Sequence, residues 1–241
     1  MTQATPVQTP RRSARPGANG REPLTRDRIL EAALRFVDQH GLPALSMRKL
    51  AAELGVEAMS LYNHIANKED ILAGIADLVF AEVEIPPAES GDWTDRTRQV
   101  AHAARRALSE HANVVPIILA GGNRGPSYLQ IMESTVGTLR GAGFDADMAH
   151  HGWHTLQAHV LGYVLQQIAA PMLASSTASG RAPAGQDRGG RPVALSDLPA
   201  RDFPHIVEIA SYLAECQAAD EFDFGLDVIL TGLLAKLDGA R

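Results

Sequence analysis

The spacing of apolar residues between Ser46 and Ile65 predicts two short helices joined by a tight turn. Ser46 is suited to cap the first helix and Gly55 to end it, because glycine readily takes the left-handed backbone of a helix terminus. Helical spacing is kept by Met47, Leu50, Ala51 and Leu54, and it resumes at Val56, Leu61 and Ile65. This pattern is typical of a helix-turn-helix, whose second helix enters the major groove of DNA.

Apolar spacing predicts two flanking helices, Thr25–Gly41 and Asn67–Val83. Asn67 is suited to cap the second of these, with Asp70 at the capping-box position. The first helix completes a three-helix DNA-binding domain over residues 24–70. The second bridges this domain to residues 71–241, so that we expect a rotation in one part to be transmitted to the other.

The rest of the sequence predicts a helical body with two irregular segments. The expected body helices are Trp93–His111, Asn113–Leu119, Ser127–Leu139, Asp145–Ala170, Pro204–Ala218 and Glu221–Leu237. Residues 1–23, rich in Pro, Thr and Gly, are predicted to form a disordered basic arm that either follows DNA phosphates or stays a solvated tail. Residues 174–200 are rich in Gly, Pro and Ser and are predicted to form a flexible loop.

Composition supports an all-α fold. Hydrophobic residues make up 45% of the 241 positions, whereas aromatic residues make up 5% and β-branched runs are few. The lone cysteine, Cys216, excludes an internal disulfide framework and favours a reducing compartment. No apolar run reaches the length of a membrane span. We therefore expect a cytoplasmic protein without a membrane partner.

The net charge of -6 is divided unevenly along the chain. Residues 1–70 hold ten Lys and Arg against eight Asp and Glu, whereas the remaining residues hold twelve against twenty. Local field matters more for phosphate contact than total charge does. The division fits a DNA-facing domain on an acidic body.

The segment LSMRKLAAELGVEAMSLYNHIANKEDIL, residues 45–72, closely resembles the DNA-binding domain of the tetracycline-repressor (TetR) family of bacterial transcription regulators. The resemblance is carried by Leu50-Ala51, Leu54-Gly55-Val56, Leu61-Tyr62, His64 and Asn67-Lys68. The body resembles the family's tetracycline-repressor-like regulatory domain more loosely. Its matching features are Trp93, His111, Gly143-Phe144-Asp145 and the segment FGLDVILTGL from Phe224.

The resemblance implies a homodimer that binds a palindromic double-stranded operator, as a repressor released by a small-molecule effector. It also implies that helices 145–170 and 221–237 of two chains form a four-helix bundle. Arg48, Tyr62, His64 and Lys68 match DNA-contacting positions of the family. Asn63 is suited to an adenine edge, and Ala58 or Met59 to a thymine methyl. The complete set of candidate DNA-binding residues is Arg48, Lys49, Ala58, Met59, Ser60, Tyr62, Asn63, His64 and Lys68.

Four histidines stand in the segment HHGWHTLQAHV, at His150, His151, His154 and His159. His150 and His154 share a helix face and are able to hold a metal, but no acidic third ligand has a matching spacing. We favour a ligand pocket, in which a few polar side chains line an otherwise apolar cavity. Its candidate residues are His102, His150, Trp153, His154 and Gln157.

The sequence favours a regulator over an enzyme and predicts neither a bound metal nor a cofactor. No G-x-S-x-G segment is present, and the glycines near residue 121 lack the lysine of a phosphate-binding loop. The tetracycline repressor holds its drug partly through a histidine that the segment 117–122 lacks, which argues against tetracycline as the effector. Two alternatives stay open: a DNA-binding regulator without small-molecule input, and a histidine-metal sensor or enzyme on the same helices.

Overall fold

The structure is a computed structural model that describes residues 23–120, 125–178, 198–215 and 218–239. The predicted DNA-binding domain contains α1 (Arg26–His40), a 3-10 turn (Leu42–Ala44), α2 (Met47–Leu54) and α3 (Ala58–Leu61). The expected caps form, since the Thr25 side chain accepts a hydrogen bond from Arg28 N and the Ser46 side chain accepts one from Lys49 N. Gly55 ends α2 in the left-handed conformation, with φ of 65°. The local sequence therefore specifies the turn between α2 and α3.

Helix α4 (Lys68–Ala81) connects this domain to the body. Asn67 caps it by accepting a hydrogen bond from Asp70 N at 2.8 Å. Ile71 and Ile75 pack into the same continuous apolar core as residues of α1 and of the body helices. One core therefore spans both parts and includes α4.

The body consists of α5 (Trp93–Glu110), a 3-10 turn (Ala112–Val114), α6 (Val115–Leu119), α7 (Pro126–Ala142), α8 (Ala146–Ala178), α9 (Pro204–Glu215) and α10 (Ala218–Gly239). Helices α5, α7 and α8 pack against one another, α4 packs on α7, and α10 packs on α8. A smaller apolar cluster around Leu139 and Phe144 joins α7, α8 and α10. The described residues include no helix that is long and apolar enough to cross a membrane.

The all-α prediction is confirmed, and several helix boundaries differ from expectation. Helix α3 ends at Leu61, although the apolar stripe continues to Ile65. The stripe persists because Ile65 N still bonds to Leu61 O at 3.0 Å in the turn that follows. Helix α9 is described as far as Glu215 and α10 from Ala218 onward, and residues 216 and 217 between them lie outside the described part of the chain.

The long helix α8 continues to Ala178, so the first residues of the predicted loop at 174–200 are helical. Alanine, serine and threonine occupy 174–178, and a helix accepts these residues, whereas the glycines begin only at Gly180. Most of that loop, nearly all of the predicted basic arm and Cys216 lie outside the described residues.

Candidate nucleic-acid interface and effector cavity

Buried apolar side chains hold the short helix α3 against α2. Leu50 and Leu61 are fully buried, and Ala51 is almost so. Ala51 adds a small side chain to the buried side of α2, which packs on α3. The other side of these two helices is exposed, and this is the surface on which the DNA contacts are predicted.

Most of the candidate DNA-binding residues lie on that exposed surface. Met59 is 72% exposed and Tyr62 is 47% exposed, so neither side chain belongs to the core. Ala58 and Ser60 are half-buried at the start of α3. The exposed candidates in the turn after α3 and on α2 are Asn63, His64, Arg48 and Lys49.

Lys68 differs from the other candidates because its ammonium group already has a partner. Its Nζ donates a hydrogen bond to Leu45 O at 2.8 Å, and the residue is half-buried. The contact ties the start of α4 to the segment before α2. Lys68 therefore fixes the arrangement of the domain, and a phosphate contact by Lys68 stays a prediction.

An ion pair between Arg26 and Asp70 connects the start of α1 to the first turn of α4. The two guanidinium nitrogens of Arg26 donate to the two carboxylate oxygens of Asp70 at 2.9 and 2.6 Å. Ala66 N donates to the same carboxylate at 3.0 Å. The hydrogen bond from Arg26, followed by that from Ala66, lowers the pKa of Asp70 to about 2. The sequence marks Asp70 as a cap but gives no sign of Arg26, 44 positions away.

The body contains an apolar cavity of about 60 Å³ between α4, α5, α7 and α8. Most of its lining is aliphatic or aromatic, with Phe80 on α4 and Trp153 on α8 among the walls. Few polar groups line the cavity. Gln157 Nε2 donates to the Tyr128 hydroxyl at 3.2 Å, and the Tyr128 ring lies edge-on to Trp153 with centroids 5.9 Å apart.

Two of the five candidate ligand residues, Trp153 and Gln157, line this cavity. The other three do not. His150 and His154 lie on the exposed side of α8, with ring centroids 4.5 Å apart. His102 Nε2 instead lies 2.8 Å from Asp223 Oδ1. Within the described parts of the chain, no group of three or more His, Cys, Asp or Glu side chains is arranged to hold a metal ion.

Sequence reasoning missed Phe80 and Tyr128 as cavity residues. Both occupy apolar positions of amphipathic helices, where spacing alone does not distinguish a cavity wall from solid core. The available signal was the hydroxyl of Tyr128, because a buried phenol needs a hydrogen-bond partner. Gln157 supplies that partner.

Comparison with known families agrees with this geometry. Residues 29–75, which hold the helix-turn-helix, match the family described as bacterial regulatory proteins, tetR family. Residues 85–237, which hold most of the cavity, match the tetracyclin repressor-like C-terminal domain. The chain belongs to the TetR family. It is therefore a DNA-binding transcription regulator, as the resemblance of the helix-turn-helix predicts.

Several TetR-family proteins are similar over most of the chain. An HTH-type transcriptional regulator of Saccharopolyspora erythraea is 31% identical, covering 88% of this chain and 85% of its own. The HTH-type transcriptional repressor DrrR1 of Streptomyces coeruleorubidus is 29% identical, covering 91% and 80%. Apo ActR from Streptomyces coelicolor superposes with a TM-score of 0.76 at 31% identity, covering 92% of this chain and 100% of its own. A second ActR structure, in complex with actinorhodin, gives a TM-score of 0.72 at 32% identity, covering 90% and 99%.

Proposed function

We propose that this TetR-family regulator is a repressor whose homodimer releases its operator when a small, largely apolar molecule enters the body cavity. The observation that carries the proposal is the position of the cavity. Its walls include Phe80 of α4, the helix that begins in the DNA-binding domain. A molecule that changes the cavity therefore acts directly on the helix that carries the domain.

The size of the cavity supports a coupling between occupancy and shape. About 60 Å³ is room for roughly two water molecules, whereas pockets for drug-sized ligands measure about 300–1,000 Å³. An effector must therefore move the walls apart in order to bind. Because the two binding equilibria are linked, an effector that prefers the expanded form weakens the affinity for the operator. Bound operator weakens the affinity for the effector by the same factor.

The chemistry of the lining favours an aromatic effector with few polar groups. The Tyr128 and Trp153 rings offer apolar faces, and the Gln157 amide and Tyr128 hydroxyl offer hydrogen bonds. The structure of ActR in complex with actinorhodin supports a small-molecule effector for a relative of this chain. We assign effector contacts to Tyr128, Trp153 and Gln157, and none to His102, His150 or His154.

Exposed apolar side chains on α10 support the homodimer. Phe224 is 69% exposed and Val228 is 58% exposed, although both belong to a helix whose other side is packed on α8. A second copy of this face covers them if 145–170 and 221–237 form a four-helix bundle. The two α3 helices then lie on successive major grooves, about 34 to 36 Å apart.

In this proposal residues 24–70 bind DNA and residues 71–241 bind the effector and the second chain. DNA contacts come from the exposed surface of α2, α3 and the following turn. Asn63 reads a base edge, whereas Arg48 and Lys49 contact phosphates. A cytoplasmic location follows, because the operator lies on the chromosome.

The proposal is tested with operator duplexes that the purified protein selects from random genomic fragments. Aromatic small molecules are added to the complex, and release is followed by gel mobility. We expect at least one compound to release the wild-type protein from the duplex. Gln157→Leu should raise the compound concentration needed for release by about tenfold, since the Tyr128 hydroxyl then loses its hydrogen-bond partner in the site.

Gln130→Leu is the matched control, because Gln130 is an exposed residue of α7 outside the cavity. It should respond as the wild type does. If no compound of a broad panel releases the duplex, the alternative of a regulator without small-molecule input is favoured instead.

A further inference from the structure

One imidazole lies between two carboxylates where the body meets the DNA-binding domain. His111 follows α5 in the body. Its Nδ1 is 2.9 Å from Asp38 Oδ2 on α1, and its Nε2 is 3.1 Å from Glu82 Oε2 at the end of α4. The His111 side chain is only 15% exposed. One residue of the body thus contacts both the DNA-binding domain and the connecting helix.

Both ring nitrogens of His111 face carboxylate oxygens. Carboxylates only accept hydrogen bonds, so a ring nitrogen that carries a proton donates it to the carboxylate it faces. Hydrogen bonds between ionised partners are the stronger kind. Asp38 also lies near the carboxyl end of α1, where a nearby positive charge is favourable.

The neighbourhood of Asp38 makes this contact hard to replace. Asp38 Oδ1 is buried and accepts no hydrogen bond within the described part of the chain, so the carboxylate depends on His111. Asn113, two residues further on, donates from Nδ2 to Val37 O at 3.1 Å and to Asp38 O at 3.2 Å. The segment after α5 is therefore fastened to the end of α1 by both residues.

The same junction lies beside two walls of the cavity. Leu108 lines the cavity on α5 and precedes His111 by less than one helical turn. Phe80 lines it on α4 and stands just before Glu82. A change in the separation of α4 and α5 at the cavity therefore reaches the His111 contacts without any intervening element.

We propose that His111 is a positioning residue that couples the effector cavity to the DNA-binding domain. Its ring, in contact with both carboxylates, holds α1 and α4 in the operator-binding arrangement, and expansion of the cavity draws the ring away from one of them. This inference rests on the proposed function, because it requires that occupancy of the cavity change operator affinity.

The test is a double-mutant cycle on the full-length protein, without an effector. Ala104→Leu fills the cavity from α5 and replaces the effector as the agent that moves the walls. The probe is a duplex selected from a random library by wild-type protein, and its affinity is measured by fluorescence anisotropy. We expect Ala104→Leu to weaken binding about tenfold or more in the wild type, but less than about threefold in His111→Gln.

Two further variants separate coupling from mere structural support. His111→Lys places a positively charged donor between the two carboxylates and should restore part of the response that His111→Gln loses. His205→Gln is the matched control, since His205 pairs with Glu208 on exposed α9 and should keep the full response. Ala101→Val replaces Ala104→Leu if the latter fails to fold.

The outcomes distinguish the two proposals. If Ala104→Leu acts equally in wild type and in His111→Gln, the role of His111 is overturned while the proposed function stands. If neither cavity variant changes operator affinity in folded wild-type background, both proposals are overturned.

Discussion

Asp70 holds the first turn of α4 against α1, and its charge has a defined pH window. Its pKa in the folded chain, about 2, lies below the ordinary value of 3.8 because of the hydrogen bond from Arg26. A lowered carboxyl pKa adds stability that is complete above the ordinary value and is lost as pH falls through the folded value. The pair therefore supports folding at neutral pH and ceases to do so between about pH 4 and pH 2.

We predict that Asp70→Asn lowers the free energy of unfolding at pH 7 by about 1 kcal/mol or less, since Arg26 is 45% exposed and solvent screens the pair. Urea unfolding at pH 7 and near pH 2 measures the effect, and the difference from wild type should shrink in acid. Glu31→Gln, which removes an exposed pair with Arg35 at 4.0 Å, is the control and should change little. An equal difference at both pH values would contradict the prediction.

A second prediction concerns the roles of exposed polar residues on the DNA-facing surface. Asn63→Ala should remove discrimination at one operator base pair, worth about 1 to 3 kcal/mol for a good bidentate contact. Arg48→Ala should instead weaken all duplexes similarly and reduce the slope of log affinity against log salt by about 1. Binding of single-base operator variants at two salt concentrations separates the two effects. Unchanged discrimination in Asn63→Ala would remove that residue from the reading surface.

Contacts near in sequence were predictable, and contacts between distant residues were not. Ser46, Gly55 and Asn67 act on backbone a few positions away, so residue type and spacing suffice to predict their caps. Arg26 meets Asp70 across 44 positions and His111 meets Asp38 across 73. No local pattern encodes such pairs, which depend on how α1, α4 and α5 pack.

The orientation of α8 explains why the candidate cavity residues were only partly brought together. Apolar residues occur around most of this helix, because one side faces the cavity and another packs on α10. Spacing alone then leaves the direction of each histidine open. Trp153 and Gln157 turn to the cavity, whereas His150 and His154, close by in sequence, turn to the exposed side.

The packing of α10 on α8 depends on a close approach between Gly225 and the His159 ring. A Cβ atom there would lie 2.5 Å from His159 Cε1. The His159 ring cannot easily yield, since it stacks on Phe222 with centroids 4.9 Å apart and its Nε2 bonds to Phe222 O at 3.0 Å. The two helices must separate to accept a side chain.

Gly225→Ala is therefore predicted to lower the free energy of unfolding by about 1 to 3 kcal/mol, as overpacking does. The control is Gly137→Ala on α7, where an added Cβ meets nothing within 4 Å. That change should raise stability by about 0.5 to 1 kcal/mol, because alanine is the better helix former. Chemical denaturation of both variants measures the change in the free energy of unfolding. Equal changes in the two variants would contradict the close approach of Gly225 to His159.

One continuous apolar core joins the DNA-binding domain to the body across α1, α4, α5, α7 and α8. A closely packed interior resists gradual deformation, so displacement of a cavity wall is passed on as movement of whole helices. In the proposed dimer, that movement changes the separation of two α3 helices. Operator affinity is sensitive to this separation because both helices must fit one duplex at once.

The dimer proposal makes a prediction for the whole assembly. Val228→Glu places a charge on the exposed apolar face of α10 and should convert the dimer to monomer, as measured by sedimentation. Because linked binding of two half-sites adds about 10² to 10⁴-fold to affinity, operator binding should fall by a comparable factor. Leu129→Glu alters an equally apolar, exposed position on α7 and should leave both properties unchanged. A Val228→Glu protein that stays dimeric would place the interface elsewhere, whereas a monomer with undiminished operator affinity would show that a single α3 suffices for recognition.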